Sequence, residues 1–158
     1  MQIRKGGLDE PQVIALLETH LALSQAESPP ESCHALDVSG LKTPEIRFFS
    51  AWDGDTLLGM GAWKRLDESH GRAHGELKSM HTAAPARGRG VGAAMLRHLM
   101  ADAAAHGITR LSLETGSMEY FRAARALYAR HGFQECAPFS DYVRDPNSVF
   151  MTRDLRDA

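Results

Sequence analysis

Cysteine is scarce in this chain. Only Cys33 and Cys136 occur among 158 residues, too few and too far apart in sequence for a disulfide framework, and neither belongs to a C-x-x-C pair. That usage points to a reducing, cytoplasmic setting. Long apolar runs are also missing. Nowhere do about eighteen apolar residues follow one another, so no membrane span is offered, and residues 1–7 meet acidic groups before any stretch of signal-peptide length. An excess of one charge is absent as well: eighteen basic and twenty acidic residues leave −2, without the basic footprint of a nucleic-acid-binding protein. There is no internal repeat, linker or low-complexity tract. What remains is ordinary composition, 43% hydrophobic and 24% charged, which predicts one soluble domain over 1–158 with a sizeable core.

The charge is uneven. Residues 1–50 carry four basic and seven acidic groups, whereas residues 51–110 carry eight and six, so an anion is expected in the middle of the chain. Asp9 as N-cap and Pro11 in the first turn, followed by Val13, Ile14, Leu16, Leu17 and Leu21, predict a helix over 10–25. Pro29 and Pro30 end it, and 31–44 reads as a short helix or a loop. Apolar runs at 46–52 and 57–63 flank Asp53-Gly54-Asp55, a strong hairpin signal. A polar turn near Glu68-Ser69-His70-Gly71 leads to a third run at 76–82, completing an antiparallel meander. A helix over 91–106 stopped by Gly107, a strand at 111–115, a second crossover helix over 119–131 capped by Gly132 and a last strand at 148–155 complete the expected order.

Gly88, Gly90 and Gly92 alternate between a strand and a helix. Such a turn lets backbone approach a ligand closely while the first helical N–H groups stay unpaired. The helix dipole, Arg87 and Arg89 add positive charge, so a pyrophosphate suits it. A Walker loop is excluded, because no Gly-Lys-Ser/Thr occurs. The dinucleotide fingerprint is formally matched by Gly88, Gly90 and Ala93, but that motif belongs after the first strand of a parallel sheet, and here antiparallel runs precede it.

Arg87-x-x-Gly90-x-Gly92 resembles the R/Q-x-x-G-x-G/A motif of the GNAT superfamily of N-acetyltransferases. Ala124-x-x-Leu127-Tyr128-x-x-x-Gly132-Phe133 resembles its A-x-x-L-Y-x-x-x-G-F segment, with Tyr128 thirty-six residues after Gly92, and residues 76–82 are similar to the strand before its glycine-rich turn. Three motifs in family order and spacing are a specific signal. The resemblance implies an α/β (α+β) fold: a mixed, mainly antiparallel central sheet with helices on both faces and a splayed strand pair at the acetyl-CoA site. Two departures stand out. Phe121 occupies a position where many members have asparagine, and Pro85 sits one residue nearer the arginine than usual.

The resemblance further implies acetyl-CoA as co-substrate, with no metal. Its pyrophosphate would lie on Arg87, Gly88, Arg89, Gly90, Val91, Gly92 and Ala93, and its pantetheine arm beside Met80, His81 and Thr82. The Met80 N–H would stabilise the tetrahedral oxyanion, a kind of donor whose loss costs about 100- to 1,000-fold in rate. Tyr128 matches the usual proton donor to the leaving thiolate; a core aromatic is the plain alternative. An alkylamine is mostly protonated at pH 7 and must lose a proton before it attacks. Glu76 matches a glutamate often used as that base, Glu114 is the second candidate, and pairing with Lys78 or solvent is the structural alternative.

His70 and His74 have zinc-like spacing with no second ligand pair, His81 is poised to face substrate or to fill a pleat, and Trp52 and Trp63 read as core. Arg122 and Arg125 read as contacts to an acidic substrate or the CoA 3′-phosphate, or as a solvated face. The expected function is transfer of acetyl to the primary amine of a small molecule or amino acid. Protein N-terminal or lysine acetylation and a silent CoA-binding regulatory module are the alternatives. Acceptor choice is expected to lie in 28–44, 67–74 and 139–148. Homodimers are common in that family, but no exposed apolar stripe marks one here.

Overall fold

Seven strands form one sheet in the computed structural model, which describes residues 1–66 and 73–156. They are β1 (Gln2–Lys5), β2 (Ile46–Asp53), β3 (Thr56–Arg65), β4 (His74–Thr82), β5 (Arg110–Gly116), β6 (Gln134–Glu135) and β7 (Ser148–Asp154). Their order across the sheet is β1-β2-β3-β4-β5-β7-β6. Every adjacent pair is antiparallel except β4 and β5, as expected for a mixed, mainly antiparallel sheet. The turn expected at Glu68-Ser69-His70-Gly71 lies outside the described residues.

Both faces of the sheet are covered because the strands alternate. In β2, Phe48 and Trp52 enter one core with Val13, Leu16, Leu17 and Leu41, whereas Phe49 and Ala51 enter the other with Met95, Leu96, Leu99 and Tyr128. The first core lies under α1 (Pro11–Glu27) and α2 (Val38–Leu41); the second lies under α3 (Val91–Ala105) and α4 (Arg122–Arg130). Trp52 and Trp63 are buried as expected. Gly61 permits the close approach of α3, since a Cβ there would come within 2.8 Å of Met95 and 2.9 Å of Leu99 and of Met80.

Several local expectations are corrected. The first helix starts at Pro11, whose missing N–H suits that place, so Glu10 occupies the cap without a side-chain bond. Asp9 instead pairs with Lys42 at 2.7 Å. The segment 31–44 holds a 3-10 turn at Pro30–Ser32 and α2, capped by Asp37 accepting from the Gly40 N–H. The helix expected over 119–131 divides into a 3-10 turn at Glu119–Phe121 and α4. β1 and β6 carry little apolar patterning and are held by pairing to β2 and β7. Since β7 lies between β5 and β6, the second crossover passes over it.

One buried polar junction ties the helical layer to the sheet. Asp102 of α3 accepts from Arg47 Nε and Nη2 at 2.7 and 3.0 Å and from Trp63 Nε1 at 2.8 Å. Burial pushes its carboxyl up, and the arginine and indole donors more than reverse this, leaving it below its ordinary value.

Candidate active site

The site begins where the sheet comes apart. β4 pairs with β5 only from His74 to Glu76, opposite Arg110 to Ser112, and beyond that the two strands separate. On the other side of β4, Ala62 faces Lys78 and Met60 faces His81, so Ser79 and Met80 together oppose Gly61. This is a β-bulge, and Ser79 takes φ +56°. Its buried Oγ has no hydrogen-bond partner. The bulge frees the Met80 backbone from regular pairing at the mouth of the splay.

One cavity of about 480 Å³ opens between β4 and the helices. Met80, His81, Thr82, Arg87, Gly88, Gly90, Val91, Gly92 and Ala93 line it, together with Leu127 and Tyr128 of α4. Gly90 caps α3 with φ +80° and no side-chain bond, and Ala94 is the first residue whose N–H bonds back to the Gly90 carbonyl. The N–H groups before it therefore face the cleft. A Cβ at Gly88 or Gly90 would touch nothing, but both have φ near +80°, a conformation that favours glycine. Arg89 is exposed and is not among the cavity's lining residues.

A second cavity, about 150 Å³, lies beyond the splay. Glu76, Lys78, Glu114, His34, Tyr142 and Asn147 supply its polar wall. Glu76 is 3% exposed; its Oε2 accepts from Tyr142 OH at 2.5 Å and pairs with Lys78 Nζ at 3.2 Å. Lys78 Nζ also donates to Tyr142 OH at 2.9 Å. Burial, then the charges of Glu76 and Glu114, hold the Tyr142 phenol well above its ordinary range. Glu114 accepts from Ser148 Oγ at 3.0 Å, and both its oxygens lie within 2.9 Å of His34 Nδ1.

The cavities share a wall made by His20, Ser24, Met80, Phe121, Ala124 and Tyr128. Tyr128 is 7% exposed, and burial pushes its hydroxyl up to about 12, so it keeps its proton across neutral pH. His20 Nδ1 lies 2.9 Å from His81 Nδ1. Burial, and secondarily His81, pull His20 down to about 4; burial, then Arg87, lower His81. The two rings therefore pair as neutral imidazoles, one donating and one accepting. Phe121 packs so tightly on Gly116 that a Cβ there would lie 2.1 Å from its ring.

A model of the Acetyltransferase (GNAT) family matches residues 14–133. The chain belongs to that family. Relatives agree along nearly the whole GNAT chain. It is 50% identical to the uncharacterized N-acetyltransferase YsnE of Bacillus subtilis, over 98% of this chain and 100% of that protein. It is 46% identical to the uncharacterized N-acetyltransferase YedL of Escherichia coli, over 97% and 94% respectively. A solved structure from Klebsiella pneumoniae, described as an acyl-CoA N-acyltransferase, superposes with a TM-score of 0.80 at 29% identity, covering 98% of this chain and 97% of that one. The protein is an N-acetyltransferase of the GNAT fold.

The structure brings Glu76, Glu114, Met80 and Tyr128 of this GNAT chain around one cavity and the glycine turn around its neighbour. It corrects the reading of Arg125, whose Nη1 donates to the Gly116 and Met118 carbonyls and so braces the turn that carries Phe121. Arg122 pairs with Glu119 on the surface. His74 bonds Ser112 Oγ at 2.6 Å; its expected partner His70 is outside the described residues. Among the described residues, no group of three His, Cys, Asp or Glu is arranged for a metal. Tyr142, His34 and His20 were missed as site residues. His34 and Tyr142 lie in segments already expected to govern the acceptor, whereas His20 lies in the first helix and carries no such signal.

Proposed function

We propose that the protein transfers an acetyl group from acetyl-CoA to a primary amine of a small molecule or amino acid, by direct attack on the thioester. The single observation that carries this reading is the continuity of the two cavities at the β4 bulge, with Tyr128 and Met80 in their shared wall. The larger cavity has an unpaired helix N-terminus at one end, suited to a pyrophosphate, and an apolar wall of Val91, Leu127 and Ala124, suited to a pantetheine arm. The description of the Klebsiella structure as an acyl-CoA N-acyltransferase supports a CoA thioester as the donor. The smaller cavity is lined by two carboxylates, which favour a protonated amine.

In this reading Gly88, Gly90, Val91, Gly92 and Ala93 hold the pyrophosphate, with Arg87 beside it, and Arg89 contributes only long-range charge. The freed N–H of Met80 faces the developing oxyanion. Tyr128, protonated at neutral pH, donates to the departing thiolate. Glu76 is buried and engaged by Tyr142 and Lys78, whereas Glu114 is joined to the half-exposed His34, so the proton-accepting end lies on the Glu114 side of the cavity. Phe121 stands where many family members carry an asparagine and puts an apolar ring in the shared wall. The small volume beyond the splay favours a small acceptor over a folded protein surface.

The test is thermal-shift titration with acetyl-CoA, then CoA release with lysine, spermidine, tyramine, kanamycin and a peptide N-terminus as acceptors. Stabilisation by acetyl-CoA with turnover of a free amine is expected. Absence of any stabilisation ends the co-substrate reading, and preference for the peptide ends the small-molecule reading.

A further inference from the structure

We propose that His34 takes the proton from the acceptor's ammonium group and that Glu114 positions it for that task. The inference rests on the acetyl transfer proposed above and deepens it. Both Glu114 oxygens approach His34 Nδ1, at 2.7 and 2.9 Å. An ionised carboxylate only accepts, so Nδ1 carries the hydrogen and the neutral ring presents its lone pair at Nε2. This is the arrangement by which a carboxylate fixes the tautomer of a basic histidine. Ser148 Oγ donates to Glu114 Oε2 and steadies it from β7.

Position adds a second reason. His34 lines the acceptor cavity, yet 38% of its side chain reaches solvent, whereas the Glu76 side chain is buried and already bonded. A proton taken by His34 therefore has a way out, and one taken by Glu76 does not. The groups facing the ring come from three segments, β4, β5 and the loop at 142–145. Lys78 Nζ lies 3.5 Å from the His34 carbonyl, Tyr142 packs edge-on at 5.1 Å, Glu76 sits behind Tyr142, and the Asp145 carboxylate, bonded to Ser32, is the next acidic group. With Glu114 nearest, the imidazolium formed by proton transfer is paired with a carboxylate.

The proton count closes. The ammonium gives one proton to Nε2, which releases it to solvent. The neutral amine forms the N–C bond, the thioester C–S bond breaks, and sulfur receives the Tyr128 proton. The nitrogen of the tetrahedral intermediate carries two protons; it gives one back to restore Tyr128 and keeps the other as the amide N–H. Products are the amide, CoA thiol and one released proton.

The experiment has two arms on the full chain. Nitrogen NMR at pH 9, where imidazole is neutral, should show His34 as the Nδ1–H tautomer, and Glu114→Gln should lower that fraction. An Nε2–H ring in the unmutated protein overturns the proposal, whatever acceptor is found. In the kinetic arm, the fastest amine of the panel is used with saturating acetyl-CoA. His34→Gln should lower kcat about 100-fold, lose the acid limb of the rate profile, leave the KM for acetyl-CoA unchanged, and recover activity with added imidazole when alanine replaces it. An acid limb that survives in His34→Gln also overturns it. If no amine turns over in the unmutated protein, the acceptor reading fails instead, and the tautomer still decides His34.

Discussion

The two cavities are built in opposite ways. The larger takes much of its polar character from consecutive backbone, the turn and first residues of α3 at 87–93, while its neighbour takes it from side chains carried by widely separated segments, among them 20–34, 76–79, 114–115 and 142–147. Backbone N–H groups are the same in every sequence, so a cradle made of them is marked only by the glycines that let the chain turn. Side chains from distant segments leave no such mark. The difference separates a part of the molecule suited to one constant ligand from a part free to vary with the acceptor.

Substitutions can sharpen that contrast. The largest expected effect lies in the shared wall: Tyr128→Phe should lower kcat about 100-fold or more with acetyl-CoA affinity nearly unchanged, read from steady-state kinetics beside a binding isotherm. Unchanged turnover would remove the acid role and leave Tyr128 as core. His20 should dominate the acid side of stability. Its native value is about 4 against 6.5 in the unfolded chain, so between those values the unfolded state binds a proton that the native ring refuses. Stability therefore rises with pH across that window and falls by up to about 3 kcal/mol on going down through it. Urea midpoints from pH 7 to 4 should show the fall, and His20→Asn should flatten it.

Within the cradle, Gly90→Val forces a β-branched residue to φ +80°, a strain of about 1–3 kcal/mol. Acetyl-CoA affinity should drop roughly 10-fold or more, measured by calorimetry, as the turn relaxes away from its cradle form. The smallest change is in the acceptor cavity. Tyr142→Phe removes the hydroxyl shared by Glu76 and Lys78, and should cost about 1–2 kcal/mol in stability. The KM for the amine should rise while acetyl-CoA affinity stays the same. A Tyr142→Phe protein with weakened acetyl-CoA binding would break the separation of the two cavities.

Legibility follows the same division. Strongly periodic elements such as α3, with Val91, Met95, Leu96, Leu99 and Ala103 buried, were readable because burial of one stripe determines the helix. β1 was not, since its mostly exposed residues gain their conformation from the edge of β2. The break after Phe121 was also hidden: it depends on Arg125 reaching back to two carbonyls and on Gly116 admitting an aromatic ring. At the site, Glu76 and Glu114 were readable as candidates on neighbouring strands, but their ranking was not. Tyr142 approaches Glu76 from 66 residues away, and no local pattern predicts that bond.

Local chemistry was thus decided by the order of residues alone: the glycine turn before an apolar helix, the alternating strands, the tyrosine ahead of a capping glycine. Each depends on backbone conformations and burial stripes that neighbours in sequence determine. Tertiary structure decided which charges meet. Whether Glu76 is free or bound, whether His34 is a surface residue or a partner of Glu114, and whether His20 can be charged all depend on groups brought close by the splay of β4 from β5. Their energies come from distance and desolvation, which exist only once the chain has folded.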